Sequence, residues 1–197
     1  VPLQIIGKYD RERFLSLISE AKSEHSDYII VYAHFGQMNS LMVRHSQREE
    51  AEFMANNGAD IIIGSHPHTP QRMDIITTAD GKEVPCFYSL GNLFSSMSEM
   101  RENRETAIVS LSLSKTESAV RAKASYIPVL CKDTDEGYSL RVLNGALTAD
   151  EQETYERIKR CIGSKLPCTD RKFLLQGSAI LRKLFSSERF YYYDTAL

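Results

Sequence analysis

The chain has 197 residues, of which 42% are hydrophobic and 25% charged, with a formal net charge of -2 and a pI near 6.2. This length can build one hydrophobic core with a small appended element, and the composition is that of a folded globular protein. The balanced charge and the absence of a basic run exclude nucleic acid as the main partner, because phosphate binding needs clustered Lys and Arg.

The first seventy residues are predicted to alternate between helices and strands. An amphipathic helix is expected over residues 10–22, capped by Asp10, with its apolar residues at helical spacing. Its buried face would consist of Phe14, Leu17, Ile18 and Ala21. A second helix is expected at about 46–57, with Gly58 as its C-cap.

Two continuous apolar runs, DYIIVYAHFG at 27–36 and ADIIIG at 59–64, read as strands on either side of the second helix. Such runs are typical of central strands that are buried on both faces. A strand, a helix and a further strand in this order predict a parallel β-α-β unit.

The second half of the chain is predicted to be antiparallel and then helical. Two strands surround the turn signal at 79–81, and two further alternating strands follow, near 109–113 and 120–126. Thr148 and Glu151 form a capping box for a helix that ends at Gly163. A last helix near 171–184 and the terminus ERFYYYDTAL at 188–197, whose three tyrosines either pack at an edge or form a binding surface, complete the prediction.

The remaining compositional signals concern membranes, export and thiols. No apolar segment approaches the roughly 18 residues that span a bilayer, and the start VPLQIIGKYD does not resemble a signal peptide. The four cysteines form no CxxC pair, which argues against a zinc ribbon or a thioredoxin motif. Cys86 is expected to be buried, whereas Cys161 and Cys168 form either a local disulfide or two free thiols.

The stretch IIIGSHPHTP at 61–70 places two histidines at the end of a predicted strand. Pro67 disfavours helical geometry at His66, and positions two apart in extended backbone face the same side. We therefore expect His66 and His68 to project together from a stiff turn at the carboxyl end of a parallel strand. Open α/β sheets build their sites at that end.

His34 also ends a predicted strand, and Gly36 two residues later leaves room for close approach. If the two strands are neighbours, His34, His66 and His68 converge at one edge of the sheet and can ligate a metal ion. Ordinary hydrogen-bonded histidines are the competing interpretation of each residue taken alone. His25 and His45 lie in polar surroundings and are expected at the surface.

Asn92, in YSLGNLFSS at 88–96, closes another predicted strand. It either contributes to the site, by donating to a ligand or orienting a histidine, or is a plain turn residue. Nucleotide-binding glycine loops and the GxSxG elbow are absent from the sequence, so nucleotide cofactors and serine hydrolase chemistry have no support.

Three blocks of the chain resemble the last three signature blocks of the CapA family of poly-gamma-glutamate capsule biosynthesis proteins, in the calcineurin-like metallophosphoesterase superfamily. The blocks are DYIIVYAHFG, QREEAEFMANNGADIIIGSHPHTPQ and VPCFYSLGNLFSS, within roughly residues 10–95. The positions that agree with the family pattern are Gln47, Gly58 to Asp60, Gly64, His66 to His68, Gln71 and Ser89 to Asn92.

The resemblance implies an α/β fold, the C-terminal part of a metallophosphatase-like α/β/β/α sandwich, over residues 1–144, with a helical C-terminal extension over 145–197. It also implies a site with two divalent metal ions, Mn, Fe or Zn. His34, His66 and His68 would be metal ligands, and His34, His66 and Asn92 the catalytic residues. The metals would activate a water and stabilise a phosphoryl oxyanion.

Two departures from the family pattern limit this expectation. Met38 stands where the family usually has an acidic residue, and the earlier blocks that supply the other ligands, among them a bridging carboxylate, have no counterpart in this sequence. Three histidines cannot complete a two-metal site, which also needs carboxylate oxygen. We therefore expect a C-terminal portion of a CapA protein, a site completed by an upstream segment or a partner chain, or a chain that is not catalytic.

The resulting functional prediction is a metal-dependent, phosphoesterase-type hydrolase linked to capsule, poly-gamma-glutamate or cell-envelope biosynthesis. Its substrate would be a small-molecule or polymeric phosphoester or a polyglutamate-type compound. The alternative is a non-catalytic CapA-like binding or assembly module. The resemblance places such proteins at the bacterial cell envelope or outside the cytoplasm, although nothing in these residues anchors or exports the chain.

Overall fold

Two β-sheets and three α-helices form the part of the chain that the computed structural model describes, residues 10–117, 120–135 and 137–163. The elements are, in order, α1 (Arg11–Ser23), β1 (Ile30–His34), α2 (His45–Asn56), β2 (Ile61–Ser65), β3 (Met73–Thr77), β4 (Glu83–Phe87), a 3₁₀ helix (Arg101–Arg104), β5 (Glu105–Lys115), β6 (Val120–Thr134), β7 (Gly137–Val142) and α3 (Ala149–Ile162). None of these helices is long and apolar enough to cross a membrane.

The first sheet has the strand order β1-β2-β4-β3 and carries the histidine-bearing strands. β1 and β2 pair in parallel and are connected through α2, which confirms the predicted β-α-β unit. β4 joins β2 in parallel and pairs with β3 in antiparallel fashion, as the turn signal predicted. Three parallel strands therefore end at the same side of this sheet.

β1 differs from the prediction that both apolar runs are central strands buried on two faces. Among the described strands it pairs only with β2, so it lies at an edge of the sheet. Ile30 and Tyr32 are 51% and 65% exposed, whereas the alternating Val31 and Ala33 are buried. The apolar run therefore did not distinguish a strand buried on both faces from one buried on a single face.

The first sheet separates two hydrophobic cores because alternate side chains of a strand point to opposite faces. Ile62 of β2 packs in the first core, with residues of α1 and α2. Ile61 packs in the second core, with residues of the second sheet and of α3. The prediction of an α/β sandwich with a C-terminal helix is confirmed.

The helix ends follow the predicted capping chemistry closely. The Asp10 carboxylate accepts a 2.7 Å hydrogen bond from the Arg13 amide, and the predicted α1 face is buried. Thr148 and Glu151 form the capping box of α3, and Gly163 caps its other end with φ of 90°. The C-cap of α2 is Asn57, one residue before the predicted Gly58.

The second sheet is an antiparallel meander of β5, β6 and β7. The β5–β6 pairing was predicted and places Val109 opposite Tyr126. β7 was not predicted, although Tyr138, Leu140 and Val142 alternate with Ser139 and Arg141 along this six-residue strand. The predicted helix near 171–184 and the packing of the terminus lie outside the described residues, and the domain boundary at 144/145 stays a prediction.

A buried ion pair attaches α3 to the second sheet. Arg157 Nε donates to both carboxylate oxygens of Glu105, at 2.9 and 3.0 Å, and the Glu105 side chain is 1% exposed. Nearby, the thiol of Cys161 lies 3.1 Å from the Pro70 carbonyl oxygen. Cys86 and Cys161 are both free thiols, and burial raises the pKa of Cys161 to about 11.

Candidate functional site

The four residues predicted for the site lie together beyond the carboxyl ends of the parallel strands. His34 is the last residue of β1 and is paired with Ser65, the last residue of β2. His66 and His68 follow directly on β2, and Asn92 follows β4. The parallel register thus brings residues that are 32 and 24 positions apart in sequence into contact.

His34 and His66 form the closest contact of the site. Nε2 of His34 and Nδ1 of His66 are 2.9 Å apart, and the two rings meet edge to face with centroids 4.7 Å apart. The other ring nitrogen of His34 lies 3.2 Å from the Ser65 hydroxyl. Two imidazole nitrogens at hydrogen-bond distance share one proton, so one of them presents a lone pair to the other.

The backbone of the GSHPH segment differs from the prediction. His66 and His68 have φ angles of 98° and 58°, so the expected extended geometry around Pro67 was wrong. The Pro67 carbonyl accepts a 2.8 Å hydrogen bond from the Asn39 amide, which fixes this turn against the loop after β1. The rings of His66 and His68 are still neighbours, with centroids 6.3 Å apart. Positive φ at non-glycine residues costs energy and is concentrated at functional sites.

Asn92 orients His68. This agrees with the interpretation of Asn92 as part of the site and not as a plain turn residue. Nδ1 of His68 lies 2.8 Å from the side-chain oxygen of Asn92. An amide oxygen can only accept, so Nδ1 of His68 carries the proton and Nε2 keeps its lone pair. This arrangement of a histidine and a hydrogen-bonding partner is typical of metal-ligating histidines.

A pair of buried glutamines holds the loop that follows β1. Gln47 of α2 donates to the side-chain oxygen of Gln71 at 3.0 Å, and Gln71 in turn donates to the carbonyls of Ser40 and Met42 at 2.7 and 3.0 Å. Both glutamines agree with the family pattern, but the sequence alone did not show that they contact each other. The pair supports the loop that carries Asn39, and thereby the turn at Pro67.

Two glycines permit the close approaches on which the site depends. A Cβ at Gly64 would lie 2.1 Å from the Tyr88 carbonyl oxygen, and one at Gly91 would lie 2.3 Å from the Glu105 carbonyl oxygen. Both distances are far below van der Waals contact. Glycine at these positions lets β2 approach the end of β4, and the Asn92 segment approach β5.

The donor set fits part of a metal site. Two imidazole nitrogens that bind one ion at about 2.1 Å lie about 3.0 Å apart when the nitrogen–metal–nitrogen angle is a right angle, and about 3.4 Å apart when it is tetrahedral. The 2.9 Å between the facing nitrogens of His34 and His66 is close to the first of these distances. Within the described ranges, however, no group of three or more His, Cys, Asp and Glu side chains is spaced to hold an ion. Met38, at the position of the family's acidic residue, is 51% exposed and supplies no carboxylate.

The two remaining histidines are at the surface, as predicted. His45 begins α2 and lies 3.4 Å from Glu49, with a side chain that is 77% exposed. His25 follows α1 and is also exposed. Neither belongs to the site.

Comparison with known proteins agrees with the resemblance of the three blocks. Residues 3–97 match the family model of the bacterial capsule synthesis protein PGA_cap. Over 106 residues the chain is 38% identical to the PGA biosynthesis protein CapA of Bacillus subtilis (strain 168), covering 54% of this chain and 26% of that protein. It is 30% identical over 106 residues to the capsule biosynthesis protein CapA of Bacillus anthracis, covering 54% of this chain and 24% of that protein.

The aligned region thus spans about a quarter of the length of these relatives. This partial coverage fits the prediction that the chain corresponds to a portion of a CapA protein. Residues 3–97, just under half of the chain, match the bacterial capsule synthesis protein PGA_cap family, and the aligned region resembles CapA proteins.

Proposed function

We propose that this chain supplies the histidine ligands of a metal-dependent, phosphoesterase-type hydrolase in capsule or poly-gamma-glutamate biosynthesis. The observation that carries the proposal is the convergence of His34, His66 and His68 beyond parallel strand ends, with His34 and His66 at 2.9 Å. The capsule link rests on relatives named for capsule and PGA biosynthesis. The substrate class is a phosphoester or polyglutamate-type compound, at the cell envelope or outside the cytoplasm.

Each residue has a distinct role in this proposal. His34 and His66 bind through the two nitrogens that face each other, and His68 binds through Nε2, since its Nδ1 donates to Asn92. Asn92 fixes the ring orientation of His68. Divalent ions at such sites activate a water molecule and stabilise the charge that develops on a phosphoryl oxygen.

The metals proposed are Mn, Fe or Zn, the set that the family resemblance implies; imidazole nitrogen suits Fe and Zn, whereas Mn depends more on carboxylate oxygen. Two ions need carboxylate ligands as well, and the described histidine cluster contains none. We propose that those ligands come from a further segment of the parent protein or from a partner chain. The residues of this chain then form only one side of the site.

A second candidate is a non-catalytic CapA-like binding or assembly module. Met38 favours it, since a thioether replaces the acidic residue that the family usually has at this place. A module of this kind would keep the hydrogen-bonded histidines without binding metal tightly. The two candidates therefore differ in metal content.

The test is the metal content of the longer parent protein, which supplies the remaining ligands under this proposal, after equilibration with Mn²⁺, Fe²⁺ or Zn²⁺ and removal of free metal. We expect bound metal in the wild type and its loss in the His66→Ala, His68→Ala double variant. His45→Ala is the matched control, because His45 is exposed and lies outside the site. Equal metal in the wild type and the double variant, measured by elemental analysis, would contradict the proposal.

A hydrolysis assay distinguishes metal binding from catalysis. A generic phosphodiester such as bis-p-nitrophenyl phosphate is offered to the metal-loaded chain and to the longer parent protein. The enzyme proposal expects turnover by the parent that the double histidine variant abolishes. Metal binding without turnover by the parent would contradict the hydrolase part of the proposal and leave only its metal site.

A further inference from the structure

We propose that Asn103 is a positioning residue that holds His68 and Asn92 in their functional geometry. Asn103 lies in the 3₁₀ helix before β5, outside the segment 3–97 that matches the family model. The part of this proposal that concerns metal affinity rests on the proposed function. The part that concerns the geometry of His68 does not depend on it.

Asn103 connects three loops through its side chain and its carbonyl group. Its side-chain nitrogen donates to the side-chain oxygen of Asn39 at 2.9 Å and to the carbonyl of His68 at 3.0 Å. Its own carbonyl accepts a 3.0 Å hydrogen bond from the side chain of Asn92. The loops after β1, β2 and β4 therefore meet at one residue, which is fully buried.

These contacts determine which nitrogen of His68 is free. Because the amide nitrogen of Asn92 donates to the Asn103 carbonyl, the amide oxygen of Asn92 must point the other way, towards Nδ1 of His68. That oxygen keeps the proton of His68 on Nδ1 and leaves the lone pair on Nε2. Asn103 thus acts on the histidine through its main-chain carbonyl, which Asn92 contacts and which the side-chain donors to Asn39 and His68 hold in place, without contacting the ring.

An asparagine is well suited to this position. The side-chain oxygen of Asn103 accepts from the Met100 amide at 2.8 Å, while the nitrogen donates to two acceptors. Aspartate would keep the acceptor but lose both donors, and its charge would face two oxygen atoms. Buried acceptors without a donor are costly, so the loops would rearrange.

The competing explanation is that Asn103 only stabilises the start of the 3₁₀ helix through the Met100 amide. Asn103→Asp keeps that bond and removes the two donors, so it separates the roles. Asn39→Gly removes one acceptor of Asn103 at a position with φ of 54°, which glycine adopts without strain. Val84→Ala is the stability control, because Val84 is buried near the amino end of β4, at the opposite end of the strand from Asn92.

The experiment measures the ring nitrogens of His68 by ¹H–¹⁵N NMR of the metal-free chain at about pH 8, where imidazole is neutral. The His68 signals are identified by their loss in His68→Gln. We expect a single Nδ1–H tautomer in the wild type and in Val84→Ala. Asn103→Asp is expected to show a mixture of both tautomers, and Asn39→Gly a smaller change in the same direction.

Metal affinity of the longer parent protein is measured in parallel by titration with Co²⁺. Loss of a partner that orients a ligand costs about 10- to 100-fold in metal affinity, so we expect a loss of this size in Asn103→Asp and none in Val84→Ala. An unchanged His68 tautomer in both Asn103→Asp and Asn39→Gly would overturn the positioning role, even if the wild type binds metal. A wild-type parent protein that binds no Co²⁺ contradicts the proposed function, and the tautomer measurement then decides the role of Asn103 alone.

Discussion

Gly64 is the residue at which the smallest change should have the largest effect on the site. The backbone of β2 passes so close to Tyr88 that a methyl group at position 64 would lie 2.1 Å from the Tyr88 carbonyl oxygen. That oxygen cannot move without displacing the segment that leads to Asn92. We expect Gly64→Ala to lower the free energy of unfolding by about 1–3 kcal/mol or more, as overpacking does. Urea denaturation measures this change.

Gly81→Ala is the matched control for that prediction. Gly81 has φ of 87° but open space around it, so only backbone strain opposes the substitution. We expect a loss of about 1 kcal/mol there. Equal losses at the two positions would contradict the steric explanation at Gly64.

Some residues of the site could be predicted from the sequence, and others could not. The three histidines and Asn92 were identified because each follows a predicted strand, and parallel strands bring such positions together. The positive φ of His66 was missed, since it depends on the contact between Pro67 and Asn39. Asn103 was missed as well, because the polar stretch RENRE shows no pattern and its partners are distant in sequence.

At the scale of elements, the attachment of α3 depends on the ionisation of Glu151. Its carboxylate accepts hydrogen bonds from Lys132 of β6, from Arg141 of β7 and from the Thr148 amide. These partners lower the pKa of Glu151 from 4.5 to about 2, with the Lys132 bond contributing most. Because the pKa is lower in the folded state, the stabilisation is present above about pH 4.5 and is lost as the pH falls towards 2.

We therefore expect Glu151→Gln to be less stable than the wild type at pH 7 and nearly equal to it at about pH 2, because only the wild type loses this ionic contribution on acidification. The difference in urea midpoint between the two proteins, measured over a pH series, checks this. Glu156→Gln on the same helix is the control, since Glu156 is solvent-facing and lies 3.9 Å from Lys159. A constant difference between wild type and Glu151→Gln at all pH values would refute the role of ionisation.

Local patterns predicted most elements because the forces involved act within a few residues. The α1 face, the β3–β4 hairpin and the α3 capping box each depend on spacing, turn residues or caps. The exposed face of β1 depends instead on which strands are neighbours. That information is not contained in a single apolar run, so this feature could not be predicted locally.

At the scale of the whole molecule, β2 joins the two cores through adjacent residues. Ile62 packs with α1 and α2, and Ile61 packs with the second sheet and α3. We expect Ile61→Ala and Ile62→Ala each to cost about 2–5 kcal/mol. Since both cores share this strand, each substitution should destabilise both cores in one cooperative transition.

Tyrosine fluorescence and far-UV circular dichroism during urea unfolding test this expectation. The chain has no tryptophan, and Tyr88 and Tyr126 report on the first and second core respectively. The difference in fluorescence between the wild type and Tyr88→Phe gives the signal of Tyr88 in the first core, and the difference for Tyr126→Phe gives that of Tyr126 in the second. Separate midpoints for the two cores would show that they unfold independently.

The contacts of Asn103 and of β5 have a consequence for engineering this protein. Thr106 of β5 donates to the Leu90 carbonyl at 2.7 Å, and Asn103 supports Asn92 and His68. A chimera joined at residue 97, where the family match ends, would transplant the histidines and leave these supports behind. The smallest graft that carries the histidine cluster intact into another scaffold therefore extends through β5 and includes the strand that pairs with it.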